Sequence, residues 1–244
     1  MTASLETIRA ALAPTGKLRA VINLGNSLLA CLDAAGNPVG VSVDLSRALA
    51  DSLQCPISFV VVDAANKAVA AVREEQADVG FFAIDPLRGE GIRFTAPYLL
   101  IEGAYLVKDD SPLTHNNEVD RVGHRVLVSQ GSAYDLYLTR TLKSAEILRD
   151  ANALTVVEVF ARGGYEVAAG VKQQLQAGAL MHQGHRLLPG RFMVIEQAMG
   201  LPATRHYEAG EFLGAFVEKV KSSGKVAEYL SRHQIKGASI APAA

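Results

Sequence analysis

Strand-like and helix-like segments alternate along most of this 244-residue chain, and that alternation is the strongest constraint on its fold. Short apolar runs of strand length are followed by longer stretches whose apolar residues recur at helical spacing. This order is typical of a parallel sheet with crossover helices, the α/β class. In the first half the pattern predicts strands over 18–24, 57–62 and 77–84, and helices over 43–53 and 64–75.

The second half repeats the pattern after a polar, proline-bearing break at residues 108–112. Its pattern predicts strands over 125–129 and 154–160, and helices over 133–142 and 165–175. A strand at 192–195 returns the chain to the first half, and helices at 209–220 and 226–233 precede a loosely held tail at 237–244. We therefore predict two α/β lobes, 1–106 with 197–244 and 107–196. Two hinge crossovers join them, an arrangement that traps a ligand by closing.

The start of the chain predicts an amphipathic helix that ends at Pro14, with Ser4 or Thr2 as its N-cap. This segment lacks the basic and apolar regions of a secretory leader, so we expect a cytoplasmic protein, or a periplasmic one if a leader has been removed. Two cysteines, Cys31 and Cys55, leave a disulfide open.

Charge and hydropathy exclude several functions. Lys and Arg number 24 against 25 Asp and Glu, so the net charge of −1 gives no reason to expect nucleic acid as a partner. No apolar run approaches the roughly 18 residues of a membrane-spanning helix. The histidines of the His182–His185 pair are predicted to lie in a solvated loop, and glycines make no dinucleotide or phosphate fingerprint, so we expect neither metal nor cofactor.

Residues 77–88 contain the most informative local pattern. An apolar strand is stopped by Asp85 and Pro86, and Arg88 follows directly. Its guanidinium is then near the carboxyl end of a strand, where open α/β sheets place their ligand crevice, and its planar fork suits a carboxylate. Spacing alone also allows a surface arginine paired with Glu90.

Three ordered blocks give the chain a family resemblance. Residues 78–107, DVGFFAIDPLRGEGIRFTAPYLLIEGAYLV, resemble a strand, turn, arginine and Phe-Thr-x-Pro-Tyr segment of the family 3 extracellular solute-binding proteins. Residues 36–45 and 130–134 are similar to two further blocks of that family, in the same order. The resemblance covers roughly residues 17–235 and implies the type II periplasmic-binding-protein-like fold.

The resemblance also implies a set of ligand contacts. In the first lobe, Arg88 would grip a ligand carboxylate, Ala83 and Asp85 would face its ammonium, and Asn23 and Asn26 would fill the first loop. In the second lobe the candidates follow the strand at 125–129. They are Gly131, Ser132 and Ala133. A helix that begins there exposes free N–H groups to an anion, although an ordinary N-cap at Ser132 fits the sequence equally well.

The second lobe departs from the family pattern. Family members that bind amino acids place an acid there, but residues 167–195 contain no Asp or Glu, and Lys172 and Gln173 stand in the segment instead. A buried ammonium without a counter-charge is costly, unless Asp85, Glu102 or Glu166 substitutes. If Lys172 faces the ligand, it favours a second acidic group or a ligand without an amine; the alternative is that Lys172 points to solvent.

Two functions of different classes remain open. The first is a binding protein for a small carboxylate, an amino acid or related organic acid. We expect it to be monomeric and to work with the permease of an ABC transporter or as a cytoplasmic relative. The second is a lyase resembling cyclohexadienyl dehydratase, with Glu102, Glu166 and Lys172 as candidate catalytic groups.

Overall fold

A computed structural model describes residues 4–151 and 155–244 of the chain. Contacts between residues divide it into two units, Met1–Leu100 with Glu196–Ala244, and Ile101–Ile195. Each unit combines strands with helices, as the sequence predicts. Within the described residues, no helix is both long enough and apolar enough to cross a membrane.

The first unit contains the beginning and the end of the chain. Its described helices are α1 (Leu5–Leu12), α2 (Val41–Leu53), α3 (Ala65–Arg73), α4 (Pro86–Gly89), α8 (Tyr207–Ser222) and α9 (Lys225–Arg232). Its described strands are β1 (Leu18–Asn23), β2 (Cys31–Leu32), β3 (Pro38–Val39), β4 (Ile57–Val62), β5 (Gly80–Ala83) and β12 (Ser239–Ile240), together with part of β6 (Ile92–Lys108) and part of β11 (Met193–Pro202). Strands β6 and β11 each continue from one unit into the other.

Strand β1 lies between β4 and the segment that leads into β5 in the first unit. It pairs in parallel with β4 along its whole length, and Ala20 forms a parallel bridge to Val79, just before β5. Helix α3 packs on this sheet with apolar side chains that include Val69 and Val72, against Val21 and Phe82. Since β1 and the segment leading into β5 run in parallel, their carboxyl ends lie at one edge of the sheet.

The N-terminal helix follows the sequence prediction closely. The Ser4 side chain accepts a hydrogen bond from the Thr7 backbone N–H, which makes Ser4 the N-cap of α1. Leu12 is fully buried at the other end of this helix. The alternative cap, Thr2, lies outside the described residues.

The second unit is built on a mixed sheet. Its own strands are β7 (Arg125–Ser129), β8 (Glu146–Asp150), β9 (Val167–Val171) and β10 (His185–Leu187). Its described helices are α5 (Ala133–Thr141), α6 (Val156–Arg162) and α7 (Lys172–Met181), with a 3₁₀ turn over Asn116–Glu118. Strand β7 pairs in parallel with β8 and β9, while β9 and β10 pair antiparallel to β6.

Two sequence predictions in the second unit are wrong. Residues 156–160 of the strand predicted over 154–160 belong to the helix α6, residue 155 is its N-cap, and residue 154 lies outside the described residues. Val156 and Phe160 are both buried, and their spacing of four places them on one helical face. The helix predicted over 165–175 is β9 followed by α7. All five residues of β9 are buried, because the strand lies between β6 and β7.

The tail at 237–244 is also better held than the sequence predicts. Strand β12 pairs with Leu99 and Leu100 of β6, and Ala241 is buried. The buried Lys221 ammonium donates to the carbonyl oxygens of Pro97 and Pro242. The two cysteines do not form a disulfide, since Cys31 and Cys55 are both free.

Candidate functional site

Arg88 lies at the carboxyl end of β5, on the short helix α4, as the sequence predicts. Only 5% of the residue is exposed, so the alternative of a surface arginine is wrong. Its Nη1 atom donates a hydrogen bond of 3.3 Å to the carbonyl oxygen of Ala83, the last residue of β5. The guanidinium is thereby held close to the strand end, where the loops of the sheet edge converge.

Helix α4 is fixed at both of its ends. At the start, the Asp85 carboxylate accepts a 2.9 Å hydrogen bond from the Leu87 N–H, and Pro86 occupies the first helical turn, where its missing N–H costs nothing. At the other end, Arg73 of α3 donates to the carbonyl oxygens of Leu87 and Arg88. These contacts fix the backbone of α4 and therefore the position of the Arg88 Cα atom.

Burial sets the electrostatics of this position. Removal from water lowers the pKa of the Arg88 guanidinium to about 10, while the negative charge of nearby Asp85 acts in the opposite direction. Asp85 is itself only 4% exposed. Arg88 therefore remains charged at neutral pH, in surroundings where its attraction to an anion is weakly screened.

The loop after β1 places two asparagines at the same sheet edge. The Asn23 side-chain oxygen accepts from the Gly25 N–H at 2.9 Å, and that of Asn26 accepts from the Leu28 N–H at 3.3 Å. Both side chains thus shape their own loop. In the part of the chain that the structure describes, neither Nδ2 atom donates a hydrogen bond, so both amide groups are available to a ligand.

In the second unit, Ser132 is the N-cap of α5. Its hydroxyl accepts from the Asp135 N–H at 3.1 Å, and the Asp135 carboxylate accepts from the Gly131 N–H at 2.8 Å. Arg149 pairs with the same carboxylate at 2.9 Å. The N-cap interpretation of Ser132 is confirmed. A ligand role for Gly131, Ser132 and Ala133 stays a prediction, because Asp135 already takes one of the available N–H groups.

Lys172 belongs to a small charged cluster in the second unit. Its ammonium lies 2.7 Å from one Glu102 oxygen, and Arg191 lies 2.8 Å from the other. These two bonds lower the pKa of the Glu102 carboxyl. Lys172 begins α7 with Gln173 next to it, and 30% of its side chain is exposed, so it is paired and partly covered. One carboxylate between two cations leaves one positive charge in excess.

Two other sequence candidates have structural roles. Burial raises the pKa of Glu166, but the hydrogen bonds from the Arg125 backbone and side chain together lower it by more. The pKa of Glu166 is therefore lowered overall. His185 begins β10 and bonds through Nδ1 to the His182 carbonyl oxygen. Among the described residues, no three His, Cys, Asp or Glu side chains are grouped so that they could hold a metal ion.

The sequence analysis missed Arg73 and Arg191. Arg73 contacts α4 from 15 positions earlier in the chain, and Arg191 reaches Glu102 across 89 positions. Neither residue has a motif around it. Only the packing of α3 and the course of the chain before β11 bring them to these places.

Solved structures similar to this one include binding proteins and a solute receptor. A putative binding component of an ABC transporter from Wolinella succinogenes, complexed with lysine, is 17% identical, with 89% of this chain and 95% of that chain covered and a TM-score of 0.74. A solute receptor for L-cysteine from Neisseria gonorrhoeae is 20% identical, with 96% of each chain covered and a TM-score of 0.78. An ancestral amino-acid-binding protein, described as a precursor of cyclohexadienyl dehydratase, is 17% identical over 94% of this chain and 99% of that one, with a TM-score of 0.76. No curated protein matches the sequence significantly.

These likenesses, at such low identity, define the fold, which is the type II periplasmic-binding-protein-like fold predicted from the sequence. The particular family follows from the sequence itself. The model of the bacterial extracellular solute-binding proteins, family 3, matches residues 19–234, and the chain belongs to that family. It is accordingly a ligand-binding protein of the solute-binding class.

Proposed function

We propose that this protein binds a small ligand bearing a carboxylate, an amino acid or a related organic acid, through the Arg88 guanidinium. The observation that carries the proposal is a charged arginine, 5% exposed, fixed at the carboxyl end of β5. A planar fork of N–H donors matches the two oxygens of a carboxylate and binds both at once. Low screening strengthens such a pair.

The neighbouring groups suit the rest of such a ligand. The Asp85 carboxylate and the Ala83 carbonyl are acceptors at the same strand end, and Asn23 and Asn26 supply amide donors from the first loop. An ammonium on the ligand would find its acceptors here. We include these residues in the proposed site.

The second unit bears on whether the ligand carries an amine. Lysine and L-cysteine, in the descriptions of two similar structures, support an amino acid. The excess positive charge shared by Lys172 and Arg191 around Glu102 supports a second acidic group instead. We leave both within the proposal, and the choice between them is an outcome of the binding experiment below.

A lyase is less well supported. A general acid that works near neutral pH needs a raised carboxyl pKa. The ion pairs with Lys172 and Arg125 instead lower the pKa values of Glu102 and Glu166. We therefore favour binding without chemistry, with an ABC permease as the partner and a monomer as the working form.

The proposal is tested by thermal unfolding and calorimetry with amino acids, monocarboxylates and dicarboxylates. A ligand at 100 times its dissociation constant stabilises a protein by about 2.7 kcal/mol. For a chain of this size we expect the melting temperature to rise by about 5–10 °C. A response to amino acids alone would establish that the ligand needs an amine. A response confined to dicarboxylates would establish that it needs a second carboxylate and no amine.

Arg88→Ala and Arg88→Lys are the informative variants. Alanine removes the guanidinium and should abolish binding, whereas lysine keeps the charge but loses the fork and should bind at least tenfold more weakly. Arg162→Ala is the control, because 77% of the Arg162 side chain is exposed in the second unit. Circular dichroism establishes that each variant is folded. Wild-type affinity in folded Arg88→Ala would refute the proposal.

A further inference from the structure

The second unit contains a cavity that shares no residue with the proposed carboxylate site. Its volume is about 340 Å³, within the range of small-molecule sites. Its wall is formed by the end of β6 and the turn after it, and by the segments that lead into β7 and β9. The lining residues are Lys108, Asp110, Ser111, Pro112, Leu113, His124, Gly164, Tyr165 and Glu166.

The turn that forms one wall is held in place by the protein. Arg186 of β10 donates two hydrogen bonds of 2.8 Å, to the carbonyl oxygens of Ser111 and Leu113. The Leu113 N–H donates to the Ser111 hydroxyl at 3.3 Å, and Leu113 is only 3% exposed. The shape of this wall is therefore part of the fold.

Two opposite charges in the cavity lining, Lys108 and Asp110, have no side-chain partner among the described residues. In the described ranges, 4–151 and 155–244, neither the Lys108 ammonium nor the Asp110 carboxylate forms an ion pair or a side-chain hydrogen bond. Glu166, the third charged residue of the lining, is already paired, because Arg125 donates bidentate hydrogen bonds of 3.0 and 2.9 Å to its carboxylate. One positive and one negative side chain thus remain for a ligand.

His124 adds a directed polar atom. Its Nδ1 lies 3.0 Å from the Val119 carbonyl oxygen, and a carbonyl only accepts, so Nδ1 carries the proton of the neutral ring. The Nε2 atom is then an acceptor. The Tyr165 ring is an apolar part of the cavity lining, and the Arg125 guanidinium lies 5.9 Å from the centre of this ring.

We propose that this cavity is a second binding site, for a small zwitterion with one ammonium and one carboxylate. Lys108 receives the carboxylate, and Asp110 and His124 Nε2 receive the ammonium. A short peptide or a free amino acid has this chemistry, whereas a molecule with a single charge satisfies only one of the two free groups. The site does not depend on the proposed function of Arg88.

The test uses glycylglycine as the probe and Arg88→Ala as the background, so that binding at the proposed carboxylate site does not interfere. Amide signals of Ser111, His124 and Gly164 are followed by NMR while the dipeptide is added. They should shift in a saturable manner, and acetate or ethylammonium should shift them at least tenfold more weakly. Lys108→Met and Asp110→Asn should each raise the dissociation constant of glycylglycine about tenfold.

Two control variants match the changes in charge. Asp109→Asn removes the neighbouring acid, which does not line the cavity, and Lys143→Met removes an exposed lysine of the same unit. Both should bind glycylglycine as the background protein does. The proposal is overturned if the three signals do not move at tens of millimolar dipeptide, or if the controls weaken binding as much as Lys108→Met and Asp110→Asn.

Discussion

At the scale of the residue, Asp78 carries the clearest structural charge of the first unit. It is fully buried, ten positions before Arg88, and its carboxylate accepts hydrogen bonds from Arg19 and Arg205. One Asp78 oxygen also accepts from the Arg19 backbone N–H at 2.9 Å, which ties the start of the β5 segment to β1. The same stretch of sequence thus contains a buried anion that holds the sheet and a buried cation that we assign to a ligand.

We predict that Asp78→Ala destabilises the protein by about 3 kcal/mol, because removing one partner of a buried ion pair leaves the other partner's charge uncompensated. Urea unfolding measures the change in the free energy of unfolding. Asp63→Ala is the control, since Asp63 and Lys67 form a pair whose side chains are 73% and 59% exposed. That control should lose less than about 1 kcal/mol. Equal losses in the two variants would contradict the structural role of Asp78.

At the scale of the element, α4 depends on its neighbours for its position. It has four residues, too few for a helix that is stable by itself. Asp85 caps its beginning and Arg73 of α3 bonds the carbonyl oxygens at its end. Arg73 is therefore a positioning residue for Arg88, although it contacts the backbone alone.

We predict that Arg73→Gln weakens ligand binding about tenfold, since the end of α4 and the Arg88 side chain then lose a fixed position. Isothermal titration with the ligand found for the wild type provides the measurement. Arg93→Gln is matched to it, because Arg93 also donates to backbone carbonyl oxygens, at His206, Ala203 and Arg205. The control should keep its affinity. If Arg73→Gln also keeps the wild-type affinity, Arg73 does not position Arg88 for ligand binding.

At the scale of the whole molecule, both units contain carboxyl groups whose pKa is lowered by the folded structure. The causes are cationic partners and backbone N–H groups. Asp120, for example, accepts from the N–H groups of Ala145, Ser144 and Lys143, which lowers its pKa. Others with a lowered pKa are Glu102, Glu118, Glu166 and Glu218.

We predict that stability is greatest above about pH 5 and falls as the solution becomes more acidic. A lowered folded pKa means that the unfolded chain takes up protons first as pH decreases. The stabilisation is therefore complete above the unfolded pKa values and is lost as pH passes through the folded ones. Urea unfolding at pH 7, 5, 4 and 3 measures this, and Glu166→Gln should reduce the slope. A free energy of unfolding that does not change down to pH 3 would be inconsistent with these pairs.

Local chemistry explains why the first unit could be predicted from the sequence. The apolar runs of β1, β4 and β5 differ sharply from the amphipathic patterns of α2 and α3, and Asp85 with Pro86 ends a strand through backbone constraints alone. The N-cap of α1 was narrowed to Ser4 or Thr2, and Ser4 is the one that accepts the Thr7 N–H. The position of Arg88 after a strand followed from its immediate neighbours.

The sequence by itself determined the α/β class, the family and the position of Arg88 after a strand, because local patterns along the chain carry each of them. Only the tertiary structure decided that residues 167–171 form a strand, since their small apolar side chains fit a helix as well until β6 and β7 enclose them. It also decided that Arg73 holds α4 and that Asp135 occupies the Gly131 N–H. Such contacts join residues whose proximity depends on how whole elements pack, and no local pattern encodes that packing.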